Sequence, residues 1–379
     1  MVRFEHRWTI MQRRLFLKTT AALGAAASLP LSLRGASSRP APAPVVEDRW
    51  LQDAVDVATQ RGAEYAEILQ RTERRENIQL RKEDVHNLSD GAESGISLRV
   101  FKDGAWGAAA IRAAAPGKPD ALAENACRAA DAMARLSRRA FDVDARVSSG
   151  SYEWNTPVDI DPFEVPVTEK VAFLRALTAK ALGITQIPFA VANLFAQKTE
   201  STLLTSRGAF IRQRQMITYP NFAVTAFNQR LRRMDNRSSS LEAMAAGWEL
   251  SQRNFTSDLE TAMQEVLRTQ TADPVVEGAY DLVVHPSVLW DILFDTLLHH
   301  LDARRVLGLD GSRPGDQWIT ATDLGHKHIG YPLLELYADN TLDMGLATSD
   351  WDDSSRPAVR SPLVEHGVIR RLATEDTLD

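Results

Sequence analysis

Gly95-Ile96-Ser97-Leu98-Arg99-Val100-Phe101-Lys102-Asp103-Gly104-Ala105-Trp106-Gly107 alternates apolar and polar side chains, turns at Lys102-Asp103-Gly104 and then begins a second extended run. Period-two alternation is the signature of a strand with one buried face, and the tight turn makes its neighbour antiparallel. Residues 65–70 and 76–81 alternate in the same way, so the stretch predicts an antiparallel sheet. Helical spacing of Leu51, Ala54, Val55 and Ala58, closed by Gly62, places a helix over residues 50–61, before the strands. An Ala-rich helix over 119–137 follows them. The unit is therefore α+β, with helices covering one face of the sheet.

A second unit repeats the order helix, strands, helix. A helix is predicted over 168–182, then strands over 190–197, 201–205, 210–219 and 222–227, with Ser206-Arg207-Gly208 as a hairpin turn. A second antiparallel sheet is implied. Leu259, Met263, Val266 and Leu267 recur at helical spacing in a closing helix over 256–269, whereas 242–249 fits neither period. The Pro-containing stretch 148–166 reads as a joint, as does the Pro/Gly-containing 273–278. An apolar strand over 280–285 then opens a third region. The expected organisation is 1–44 leader and linker, 45–147 and 148–272 as α+β domains, and 273–379 as an incomplete C-terminal domain.

Composition narrows the function. The chain of 379 residues is 44% hydrophobic and 25% charged, enough for a sizeable core, and its net charge of −6 offers no basic field for nucleic acid. A single cysteine, Cys127, excludes an internal disulfide framework and any cysteine-cluster metal site; its place in the Ala-rich helix points to packing. Arg13-Arg14-Leu15-Phe16-Leu17-Lys18 precedes a small-residue apolar run over 21–33 and resembles a twin-arginine export signal. The run is shorter than the roughly 20 strongly apolar residues of a membrane span, so export with removal of the signal is expected, leaving no stable membrane span. Retention of the signal would instead anchor the chain.

The chemistry-bearing residues sit in a predicted helix over 288–306, which holds Asp291, Asp295, His299, His300 and Asp302. Asp295 and His299 are one turn apart and Asp302 follows a turn later, so a metal or a water can lie between them. Leu289, Ile292, Leu293, Leu297, Leu298 and Leu301 equally describe an amphipathic core helix whose His299 bonds Asp295 or Asp302. His326 and His328 share a face of an extended segment, beside Gly325 and Lys327 that favour a loop. The carboxylate-rich 349–355 could bind a hard cation but lacks EF-hand spacing, which favours a solvated turn. Gly91 to Gly95 lacks the Lys-Ser/Thr ending of a phosphate loop.

Several landmarks in order resemble the TldD/PmbA family of metallopeptidases from about Trp50 onward. They are Gly62-Ala63-Glu64-Tyr65-Ala66-Glu67, the 95–107 stretch, Gly278-Ala279-Tyr280-Asp281-Leu282-Val283-Val284, Gly345-Leu346-Ala347-Thr348 through Asp352-Asp353, and Pro362-Leu363-Val364-Glu365-His366-Gly367-Val368. The resemblance implies an H-E-x-x-x-H helix whose histidines hold zinc or another divalent metal, with the Glu as base and a later Cys as a further ligand. Anchored on Arg305-Val306-Leu307-Gly308, the first His falls on Phe294, the Glu on Asp295, the second His on His299 and a later acidic position on Asp302. One imidazole is replaced, the carboxylate is shortened, and no Cys lies in the C-terminal part. An aspartate withdraws the base by about one C–C bond, and a misplacement of that order costs about 100-fold in rate. The resemblance also supplies a role for such a chain, because PmbA-type subunits lack the metal motif and pair with TldD-type ones. Three readings follow: a non-catalytic or weakly active partner of an intact TldD/PmbA-type subunit in peptide processing; an active peptidase with Asp295 as base and metal on His299 and Asp302; or a peptide-binding protein without hydrolase activity.

Overall fold

The computed structural model describes residues 43–136, 149–229, 232–240, 243–253, 255–308 and 318–373. The twin-arginine stretch and its apolar run lie outside the described residues. Residues 41–379 form one compact unit, so the divisions expected at 148 and 273 fall within it.

Helix α1 (Asp48–Gln60) buries the expected stripe of Leu51, Ala54, Val55 and Ala58. Strands β1 (Tyr65–Arg81), β2 (Asp84–Lys102) and β3 (Ala105–Arg112) follow, then α2 (Pro119–Leu136). After β4 (Gly150–Asn155), the order repeats as α3 (Val167–Leu182), β5 (Phe189–Thr205), β6 (Ala209–Asn228), β7 (Arg233–Ser238) and α4 (Phe255–Arg268). The unassigned 242–249 leads into a 3₁₀ turn at Trp248–Gln252.

The two expected sheets are one. β1 pairs antiparallel with β5 from Glu67 opposite Thr205 to Arg81 opposite Val191, giving the order β3-β2-β1-β5-β6. β4 lies parallel to the first part of β6 and β7 antiparallel to its last part. The predicted strand pairs 65–70/76–81, 190–197/201–205 and 210–219/222–227 are each a single long strand. Polar interruptions such as Arg71-Thr72-Glu73-Arg74-Arg75 look like breaks in sequence, yet with neighbours on both sides their backbone groups remain paired.

Even-numbered positions of β1 give the sheet its apolar face. Ile68, Ile96, Leu98 and Val100 pack with α1 and α2, while Ile78, Leu80, Leu194, Phe222 and Val224 pack with α3 and α4. Cys127 is buried in the first of these cores, in the packing role its surroundings suggested. Gly107 fixes how closely α2 approaches: a Cβ there would stand 2.2 Å from Ala130 N and 2.3 Å from Ala126 O. Between the two cores Lys170 reaches Glu76 at 2.5 Å with both side chains almost fully buried.

The opposite face is covered in part by a strap, residues 345–356. Trp351 exchanges two hydrogen bonds with Gln213, donating through its backbone N–H at 3.1 Å and accepting at its carbonyl at 2.9 Å. Its indole stacks on Tyr152 with centroids 4.6 Å apart. Asp353 accepts from Arg71 Nη2 at 2.5 Å and Asp352 from Arg356 Nε at 2.7 Å. The carboxylate-rich loop is thus docked through its carboxylates and is not the solvated turn that its composition favoured.

Beyond α4 the chain differs most from expectation. Residues 280–285 form no strand: they pair with no strand among the described residues, and Leu282 and Val283 stand open to solvent. Helix α5 (Pro286–Leu293) starts earlier than expected, runs through a π-turn at Phe294–Leu298 into His299–Leu301, and stops at Asp302. A separate turn, Ala303–Val306, follows. Leu297 and Leu301 anchor it in a small core with Ile319, Leu363, Val364 and Ile369, beside a three-stranded sheet of β8 (Leu336–Asp339), β9 (Arg360–Glu365) and β10 (Val368–Ile369). His328 bridges to Val368, and His326 Nδ1 lies 2.7 Å from the Leu324 carbonyl.

Candidate functional site

The π-turn is the local feature that gives this helix its chemistry. In an α-helix, residues five apart are rotated by about 140° from one another, whereas a π-turn brings them to one face. Phe294 and His299 are such a pair, and their rings lie 6.0 Å apart. A motif of two histidines five apart gains a common face from this backbone. Here the backbone device is present and one of the two side chains is an aromatic hydrocarbon.

The other expected residues are not gathered around His299. Asp295 is exposed and makes no hydrogen bond or ion pair among the described residues. His299 is exposed too, with its ring near His300 as well as Phe294; His300 packs toward Trp318 with centroids 5.6 Å apart. Asp302 does not continue the helix face, as expected of one unbroken helix. Its ψ of 117° ends the helix, and its carboxylate caps the next turn by accepting from Arg304 N at 2.8 Å and Arg304 Nη2 at 3.3 Å. Partial burial opposes ionisation of Asp302, but the Arg304 hydrogen bonds and charge outweigh it and hold the carboxyl below its usual range.

Among the described residues, no group of three or more His, Cys, Asp or Glu could hold a metal ion. The donor set fits a resident zinc poorly. One exposed imidazole, one exposed carboxylate and one carboxylate already engaged by an arginine fall short of three convergent ligands.

Reasoning from sequence missed a second cluster, at the strap's far end. Tyr65 donates to Glu67 Oε2 at 2.8 Å, and Arg99 Nε stands 3.1 Å from Glu67 Oε1. Arg99 also lies over the Trp106 ring at 4.8 Å. Ser355 is fully buried there with φ of 60°. Burial drives the Glu67 carboxyl above its ordinary range against the pull of Arg99, and burial together with the neighbouring Glu67 charge raises the Tyr65 hydroxyl. The sequence signal was a Glu and an Arg directly opposite on adjacent strands, beside an aromatic pair.

One sheet carrying four helices on one face and a strap on the other defines an α+β protein. Residues 66–132 match PmbA/TldA metallopeptidase domain 1. A "Metalloprotease" of Methanothermobacter thermautotrophicus is 24% identical over 313 residues, covering 82% of this chain and 64% of the relative. Among solved structures, a candidate modulator of DNA gyrase from Thermotoga maritima superposes with a TM-score of 0.67 at 14% identity over 86% of this chain and 70% of that one. A second candidate gyrase modulator, from Bacteroides thetaiotaomicron, gives 0.65 at 18% identity over 86% and 71%. TldE from Thermococcus kodakarensis gives 0.56 at 16% identity over 85% and 69%. The chain is similar to the TldD/PmbA family in its first domain and to the Methanothermobacter relative over most of its length. It spans just under two thirds of the length of its curated relative.

Proposed function

We infer that the chain is a partner subunit in peptide processing, non-catalytic or weakly active itself, that pairs with an intact TldD/PmbA-type subunit. The observation that carries this reading is the π-turn that sets Phe294, and not an imidazole, against His299. The commitment of Asp302 to Arg304 supports it. The likeness to TldE supports a subunit role at the level of fold. In this reading the metal-dependent step belongs to the partner, and the chain is exported by the Arg13-Arg14 signal.

Co-expression of the full chain with an intact family member, followed by co-purification and a peptide hydrolysis assay, tests the proposal. A stable pair that cleaves peptides with metal, beside a chain that alone does not, is the expected result. Hydrolysis by the chain alone that His299→Ala abolishes would overturn it.

A further inference from the structure

On the face of the sheet that carries the strap, side chains line up in rows across the strands. One row runs Arg112 on β3, Gly95 on β2, Arg71 on β1, Ser201 on β5 and Gln213 on β6. The strap fills this row from Gln213, bonded to Trp351, as far as Arg71, bonded to Asp353. Beyond Arg71 the row is open among the described residues. A cavity of about 640 Å³ lies there, lined by Arg71, Arg112, Gly95, Glu73, Glu93 and Ser97 among others.

We propose that this cavity binds a carboxylate between Arg71 and Arg112, and that its ligand competes with Asp353 of the strap for Arg71. Gly95 separates the two arginines, and nothing but the Ile111 carbonyl, at 3.7 Å, lies within 4 Å of where its Cβ would be. The floor is therefore bare backbone flanked by two guanidinium groups. Arg112 is exposed and makes no side-chain hydrogen bond or ion pair among the described residues. Arg71 already holds a carboxylate, that of Asp353 at 2.5 Å, so the guanidinium is set for that group.

The neighbouring row selects among anions. Glu73 on β1 faces Glu93 on β2, two residues, or about 7 Å, along the strands from the arginines. Glu73 is engaged by Arg75, while Glu93 has no partner among the described residues. A multiply charged anion meets repulsion from this row. A carboxylate attached to a cationic amine satisfies both rows, which is the chemistry of a short peptide or an amino acid. The site is remote in sequence from the α5 helix and stands independently of the subunit reading.

Isothermal titration of the full chain with triglycine, triglycine amide, succinate and inorganic phosphate tests it. Saturable binding of triglycine, with the amide about tenfold weaker or worse, is expected; loss of one charge-assisted pair is of that order. Succinate, a dianion, is expected to bind more weakly than triglycine, and tighter binding of succinate would overturn the selection assigned to Glu73 and Glu93. Arg112→Gln, at an exposed position, weakens the carboxylate about tenfold, and Asp353→Asn tightens it by removing the internal competitor. Phosphate binding tighter than either carboxylate, equal binding of acid and amide, indifference to Arg112→Gln or to Asp353→Asn, or no saturable carboxylate binding would each overturn the proposal.

Discussion

Apolar side chains in the sheet with its four helices and in the segment from residue 275 into the π-turn meet opposite fates. In the first, Ile68, Leu80, Leu98, Leu194 and Phe222 are almost wholly withdrawn from water; in the second, Val275, Leu282, Val283, Trp290 and Phe294 face it. The difference lies in the neighbours. β1 has a strand on each side and helices beneath, whereas 280–285 has no pairing strand among the described residues. An apolar alternation becomes a strand only where backbone partners satisfy it.

The comparison can be broken by substitutions of known environment. The largest effect is expected at the ion pair between the two cores. Lys170→Met leaves the Glu76 carboxylate buried without its cation and costs about 3–5 kcal/mol, whereas replacing both members together costs much less. Chemical denaturation of the two variants checks this, and equal losses in both would contradict it. Next, Leu98→Ala costs about 2–5 kcal/mol, against less than about 0.5 for Leu282→Ala. Comparable losses at both positions would show that 275–285 is packed after all. Asp302→Ala costs about 1 kcal/mol through its cap on Arg304, with Asp302→Asn largely restoring it, since an amide oxygen also accepts from a backbone N–H.

The smallest effect depends on pH. Burial raises Glu67 in the folded chain, so the folded state holds its proton where the unfolded chain, with a pKa of about 4.3, has released it. The contribution of Glu67 to stability is then full below about pH 4.3 and declines as pH rises through the folded value. Stability of the chain minus that of Glu67→Gln, measured by denaturation across this range, is expected to fall with pH. A flat or rising difference would mean that Arg99 outweighs burial.

The same comparison explains how far the sequence could be read. Local period gave the helices at 48–60, 119–136, 167–182 and 255–268 to within two residues at each end. It could not show that β1 and β5 join the two units, because that pairing spans more than a hundred residues and leaves no local trace. Landmarks such as 95–107 carry the family resemblance, and the departures at Phe294 and Asp295 were legible as residue identities. Two features were not. Period alone does not distinguish a π-turn from an α-turn, nor foresee that Asp302 would end the helix and bond Arg304. The strap's carboxylates read as a solvated turn because their partners, Arg71 and Arg356, could be identified only in the folded chain.

The central claim is that the α5 helix retains its π-turn without a metal-holding set of side chains. Elemental analysis of the purified full chain after zinc loading, beside a His299→Ala control, tests it most directly. The account predicts no stoichiometric metal that depends on His299. Near-stoichiometric zinc in the native chain, lost in the control, would contradict it and restore Asp295, His299 and Asp302 as an active centre.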